Sequence, residues 1–170
     1  GSKSLGWSYG LTPGLVFGSI CAVAAGFHEG AGTIRKLLTW YCGESAIYSY
    51  RFSVETEGPG GFFRDEIIKG LRQTRLQPSE LMPYTDWAFL IGRDRVDGIV
   101  SNKHRSAYQR AAWVLGSLAE IHAARGDVQK TRSLIDEYCK EKYNRHTAFR
   151  REVRQIINES PLLEQSGSLI

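Results

Sequence analysis

Between His104 and Ile157 apolar residues recur at helical spacing in three successive runs. Tyr108, Ala111, Ala112, Leu115, Leu118, Ala119 and His122 repeat at i, i+3, i+4, i+7, the pattern of one buried helical face. Arg125-Gly126-Asp127 interrupts it, with a glycine suited to a helix C-cap and an aspartate suited to capping the next helix. Val128, Thr131, Leu134, Ile135, Tyr138 and Cys139 form a second stripe. Phe149, Val153, Ile156 and Ile157 form a third, which Pro161 ends. The spacing predicts an αα-hairpin followed by an amphipathic terminal helix.

Upstream the signals are less uniform. No charged residue occurs from Ser4 to Phe27, and Gly14, Gly18, Ala22 and Gly26 fall four apart, a small-residue ridge that admits a neighbouring backbone. Thr12-Pro13 is a helix start, and the apolar stretch Leu15 to Phe27 falls short of the roughly 20 residues that span a bilayer. A close-packed core helix is expected there, although Ala22-Val23-Ala24 resembles a signal cleavage site. His28 to Gly32 reads as a loop, and Thr33 as the cap of a helix carrying Ile34, Leu37, Leu38 and Tyr41 that Gly43 ends. Ala46 to Val54 satisfies both a strand alternation and a helical stripe. Glu57-Gly58-Pro59-Gly60-Gly61 is a strong loop signal and predicts a mobile connection. A helix with Phe63, Ile67, Ile68 and Leu71 inward follows, and Gln77-Pro78-Ser79 with Met82-Pro83 marks a second irregular connection. Trp87 to Ile91 and then Val96, Ile99 and Val100 give a further helical face.

The fold class expected is mainly α: an irregular helical bundle with an αα-hairpin and one short β element left open at Ala46–Val54. One helical domain is expected over 3–161, with a basic half at 103–158 and a flexible tail from 162 to 170. Gly1-Ser2 reads as residues added for expression.

The hairpin from Ala111 to Tyr138 resembles a tetratricopeptide unit in Trp113, Leu115-Gly116 and the Gly126-Asp127 turn. Trp113 stands one residue too close to Leu115-Gly116, the first helix is nearly a turn too long, and no second copy precedes it. The resemblance therefore implies an αα-hairpin and nothing about family membership.

Composition changes the picture little. Hydrophobic residues make up 42% and charged residues 24%, which suits a globular chain of this length. Cys21, Cys42 and Cys139 are odd in number, widely spaced and without a C-x-x-C pair, so neither a disulfide framework nor a thiolate metal site is indicated. Inert buried thiols and an intracellular setting, cytoplasmic or nuclear, are expected. Charge is informative. The net +4 is concentrated: Lys103 to Arg154 holds twelve Lys and Arg against six Asp and Glu, whereas the first sixty residues balance at four against four. A basic half points to an acidic partner.

Catalytic signatures are incomplete. His28-Glu29 opens like a metalloprotease helix, but Gly32 stands where the second ligand belongs. Gly43-Glu44-Ser45 opens like a nucleophile elbow, but Ile47 replaces its last glycine. Gly30-Ala31-Gly32-Thr33 followed by Arg35-Lys36 offers backbone amides and positive charge to a phosphate at a helix N-terminus, but it lacks the spacing of a nucleotide fingerprint, and a tight turn into a capped helix is the expected role of those glycines. His28 with Glu29, and Cys42 with Glu44 and Ser45, are neighbours in sequence only. Arg93-Asp94-Arg95 with Asp97 reads as a surface ion-pair patch. The candidate binding residues are Arg145, His146, Arg150, Arg151 and Arg154 around the last helix, together with Trp113 on the hairpin. Guanidinium clusters grip carboxylates or phosphates bidentately. No catalytic residue, metal or cofactor is indicated. The expected function is a non-enzymatic interaction domain holding an acidic protein partner, with the membrane not a partner. The alternative is a nucleic-acid-binding accessory domain in which the same arginines meet phosphates and Tyr108, Trp113 or Tyr143 stack on bases.

Overall fold

A computed structural model of the chain describes residues 11–27, 32–49, 59–73 and 76–165. The described residues hold α1 (Leu11–Ala24), α2 (Thr33–Ser49), α3 (Pro59–Gln73), α4 (Pro78–Ser101), α5 (Tyr108–Ala124), α6 (Val128–Asp136), α7 (Thr147–Glu159) and α8 (Pro161–Glu164), and no strand. The mainly helical class and the αα-hairpin of α5 and α6 are as the spacing predicts.

The centre of the bundle is α5, which packs on α1, α2, α4, α6, α7 and α8. Its predicted face is buried apart from the half-buried His122, and Val114, Gly116, Ser117, Glu120 and Ile121 are buried as well, leaving little of the helix to solvent. A helix covered all round is a core helix. The small-residue ridge of α1 seats it on α2: a side chain at Gly18 would meet Leu38 at 2.7 Å, and one at Gly14 would strike the Tyr41 ring. No described helix is long and apolar enough to cross a membrane.

Two helix ends close as the turn residues predict. Gly126 adopts φ +74° and donates to Ala123, while the Asp127 amide reaches back to the His122 carbonyl at 2.9 Å. The Asp127 carboxylate then accepts from the Lys130 amide and caps α6. α4 closes with the same bond pattern but places Lys103 in the left-handed region, φ 55°. A side chain is strained there. Lys103→Gly should raise stability by up to about 1 kcal/mol in denaturant unfolding. A loss instead would show that the Lys103 side chain stabilises that turn.

The structure departs from the sequence reading where glycine and proline were taken as stops. α2 runs through Gly43 to Ser49, so Ala46–Ser49 is helical and not strand; 50–54 lies outside the described residues. Gly43 faces open space, where glycine costs about 1 kcal/mol of helix propensity but forces no turn. Pro59-Gly60-Gly61 is the first turn of α3 and not a loop, because proline at the first helical position is pre-set for the helix. Glu57 and Gly58 lie outside the described residues. α4 begins at Pro78, with the Gln77 amide donating to the Glu80 carboxylate, and continues through Pro83. The bond Pro83 forfeits is to a carbonyl in the exposed first turn, which solvent can satisfy. Pro161 opens α8 instead of ending the helices, and Leu163 beyond it is fully buried.

The chain from Glu137 to Lys142 is π-helical. The wide turn, closed by the Tyr143 amide on the Tyr138 carbonyl at 3.1 Å, brings residues five apart onto one side. Tyr138 and Tyr143 thus both enter the core, ring centroids 6.0 Å apart. The same turn reaches α4. Arg93 donates to both Glu137 oxygens at 2.8 Å, Lys142 bridges Glu137 and Asp97, and the Tyr143 hydroxyl donates to Asp97. The expected surface patch is therefore partly an inter-helix network. Arg95 is not on the surface: it is buried near Tyr41, and burial pushes its pKa down to about 10.

Candidate functional site

The N-terminus of α2 has no cap of its own. The Thr33 and Ile34 amides donate to the two oxygens of Glu120, at 2.5 and 2.9 Å, across 87 and 86 residues of sequence. The Ser160 hydroxyl donates to the same carboxylate at 2.6 Å, and Glu120 is fully buried. A carboxylate at a helix N-terminus satisfies orphan amides and meets the positive end of the macrodipole. Gly32 leaves the room: a Cβ there would fall on the carboxylate. The anion at this helix start is thus a side chain of the fold itself and not a bound phosphate, and Thr33 is not the cap. His28, Glu29, Gly30 and Ala31 lie outside the described residues.

With α2 pinned, Arg35 and Lys36 project beside α3 and α7 into a groove of about 870 Å³. The α2–α3 wall carries Arg35, Lys36, Thr39 and Arg64; the α7 wall carries Glu152, Gln155 and Glu159. Trp40 from α2, Trp113 from α5 and Ile156 from α7 supply its apolar surface. Arg110 stacks over the Trp40 ring at 5.1 Å, and Lys36 pairs with Glu159, which holds that carboxyl below its usual range. Arg64 is oriented by Asp65 at 2.6–2.8 Å and by Thr39 at 3.0 Å. Two indoles beside Arg35 and Arg64, opposite a wall where Glu159 already takes Lys36, make a surface that can seat an apolar side chain and hold a carboxylate or phosphate against α2 and α3.

Of the residues chosen from sequence, Trp113 lies in this groove, and the α7 cations do not line it. Helical rotation sets Arg150 and Arg154 on the flank away from Glu152, Gln155 and Glu159, facing the Cys139 end of the hairpin. Arg145, Arg151 and Arg154 are exposed, whereas Arg150 is half-buried with a bond to the Asn144 carbonyl at 3.0 Å. His146 precedes α7 with its ring edge-on to Tyr143. Tyr108 and Tyr143 are buried against Phe149 and cannot stack on a base; only Trp113 of that trio remains available. Arg35, Lys36, Trp40 and Arg64 were missed as a constellation because they come from two helices whose pairing no local pattern announces. The one available signal was Lys36 and Trp40 at i, i+4 beside Arg35.

The three thiols are buried and hard to ionise. Cys21, Cys42 and Cys139 are free and buried, and burial pushes Cys42 and Cys139 up to about 11 and Cys21 further. Thiol reagents at neutral pH should label them slowly and at the pace of unfolding; fast labelling of any one would reveal an accessible thiolate. The side chains of Glu44 and Ser45 lie outside the described residues, so the cluster with Cys42 is untouched by this geometry. Among the described residues no three His, Cys, Asp or Glu side chains are grouped to hold a metal ion.

Compared with models of known protein families, with curated proteins and with solved structures, the chain shows no significant match.

Proposed function

We propose that this chain is a non-enzymatic helical interaction domain whose groove between α2, α3, α5 and α7 holds an acidic protein segment carrying an apolar or aromatic side chain. The observation that supports this is the convergence of Trp40, Trp113 and Ile156 with Arg35, Lys36 and Arg64 in one concave site. Hot spots in interfaces are buried aromatic and arginine anchors in pockets, and a groove concentrates both. The arginines of α7 lie outside the groove, and Arg151 and Arg154 are exposed, where solvent weakens each contact. They remain a second basic surface, available to extend the same partner.

Selection of random displayed peptides on the immobilised domain tests this. Enrichment of Asp and Glu around a large apolar residue is expected, with Trp113→Ala weakening the selected peptides by about 2 kcal/mol, roughly thirtyfold. Arg35→Glu with Arg64→Glu should weaken them at least as much. Loss of binding in Arg150→Glu, Arg151→Glu, Arg154→Glu with the groove variants unaffected would move the interface to the outer flank of α7. Tight, salt-sensitive binding of random single-stranded oligonucleotides, without peptide enrichment, would replace the reading with the nucleic-acid one.

A further inference from the structure

The basic wall of the groove does not stop at Arg64. On its far side α2 and α3 enclose a second cleft of about 600 Å³, which shares Arg35 and Arg64 with the groove and adds Lys69 and Arg72. Four cations line it with Asp65, whose carboxylate pairs with Arg64, and with the buried Ile68. Arg72 is seated over the Phe27 ring at 5.7 Å, and Lys69 sits 3.5 Å from Glu66 on the solvent side.

Resting on the groove reading above, we infer that this α2–α3 cleft binds a phosphomonoester dianion carried by the acidic partner, next to the side chain seated in the groove. The chemistry favours phosphate over carboxylate. One carboxylate is satisfied by one guanidinium fork. With Asp65 and Glu66 counted, the four cations keep a net charge of +2, which suits a phosphate with its three acceptor oxygens and close to two charges at pH 7. Arg35 and Arg64 line both cavities, so the dianion and the carboxylates would lie within one extended segment.

Fluorescence anisotropy on the full chain tests the inference with one labelled peptide, glutamates and a phenylalanine around a single serine, in three forms: phosphorylated, unmodified and serine-to-glutamate. The phosphorylated form should bind at least tenfold tighter than the other two. Lys69→Gln with Arg72→Gln should abolish that gain and leave the unmodified peptide as before, since neither residue lines the groove. Equal affinity of all three forms overturns the inference while the groove reading stands. Free O-phosphoserine binding as tightly as the peptide overturns the partner-borne source. If no form binds, the groove reading fails, and a titration with inorganic phosphate decides the cleft: saturable NMR shifts confined to the Arg35, Arg64, Lys69 and Arg72 side chains support it. Shifts spread evenly over surface cations contradict it.

Discussion

Glu120→Ala should destabilise the domain by about 3–5 kcal/mol, the cost of breaking a buried charged contact and leaving its partners unsatisfied. The carboxylate is the shared acceptor for the Thr33 and Ile34 amides and the Ser160 hydroxyl. Removing it strands three buried donors at about 1–3 kcal/mol each before relaxation, and opens a void between α2, α5 and α8. Thermal unfolding should shift down by on the order of 10 °C. Glu120→Gln keeps one acceptor oxygen but turns an amide donor toward other donors, so it should fall between the two. A change within about 1 kcal/mol for Glu120→Ala would mean that water or Thr33 itself replaces the cap. The effect should reach the groove as well, because Arg35 and Lys36 stand on the helical turn that Glu120 pins.

Phe149→Ala should cost a similar amount, about 3–5 kcal/mol, through a different mechanism. Phe149 is fully buried on α7, edge-on to Tyr108 at 5.9 Å and to Tyr143 at 6.0 Å. Truncation leaves a cavity where α5, the π-helical turn and α7 meet, and forfeits two aromatic contacts worth about 0.5–1.5 kcal/mol each beyond area. Phe149→Leu, which refills most of the volume, should cost less. Guanidinium unfolding monitored by helical circular dichroism measures both. If the alanine variant is as stable as the parent, α7 is not part of the cooperative core.

These two residues also show what the sequence made legible. Phe149 belongs to a clean stripe with Val153, Ile156 and Ile157, and the structure buries all four. The same periodicity located α5 and α6, and Gly126-Asp127 located the turn between them, because local backbone chemistry specifies each of these. Val128, placed on the α6 stripe by spacing, is 40% exposed. Glu120 was not legible. It sits inside the apolar run Leu118 to Ile121, and its meaning depends on an amide pair 86 residues away, which no local pattern encodes. Glycine and proline misled at Gly43, Pro59 and Pro83 because a helix tolerates them in its first turns or facing open space. The groove was half legible. Trp113 stood out as a large aromatic on the hairpin, but Arg35, Trp40 and Arg64 acquire a common purpose only when α2 pairs with α3. Overall charge pointed to the other half of the molecule, where the α7 arginines lie outside the groove.

Heteronuclear NMR of the indole N–H signals during titration with an acidic peptide bearing one phenylalanine addresses the groove most directly. Trp40 and Trp113 line it, and Trp87 lies on α4 outside it. The expected result is a saturable shift of the Trp40 and Trp113 resonances with Trp87 unmoved, abolished by Arg35→Glu with Arg64→Glu. Peptide binding that leaves Trp40 and Trp113 unshifted, or that shifts Trp87 instead, would contradict it.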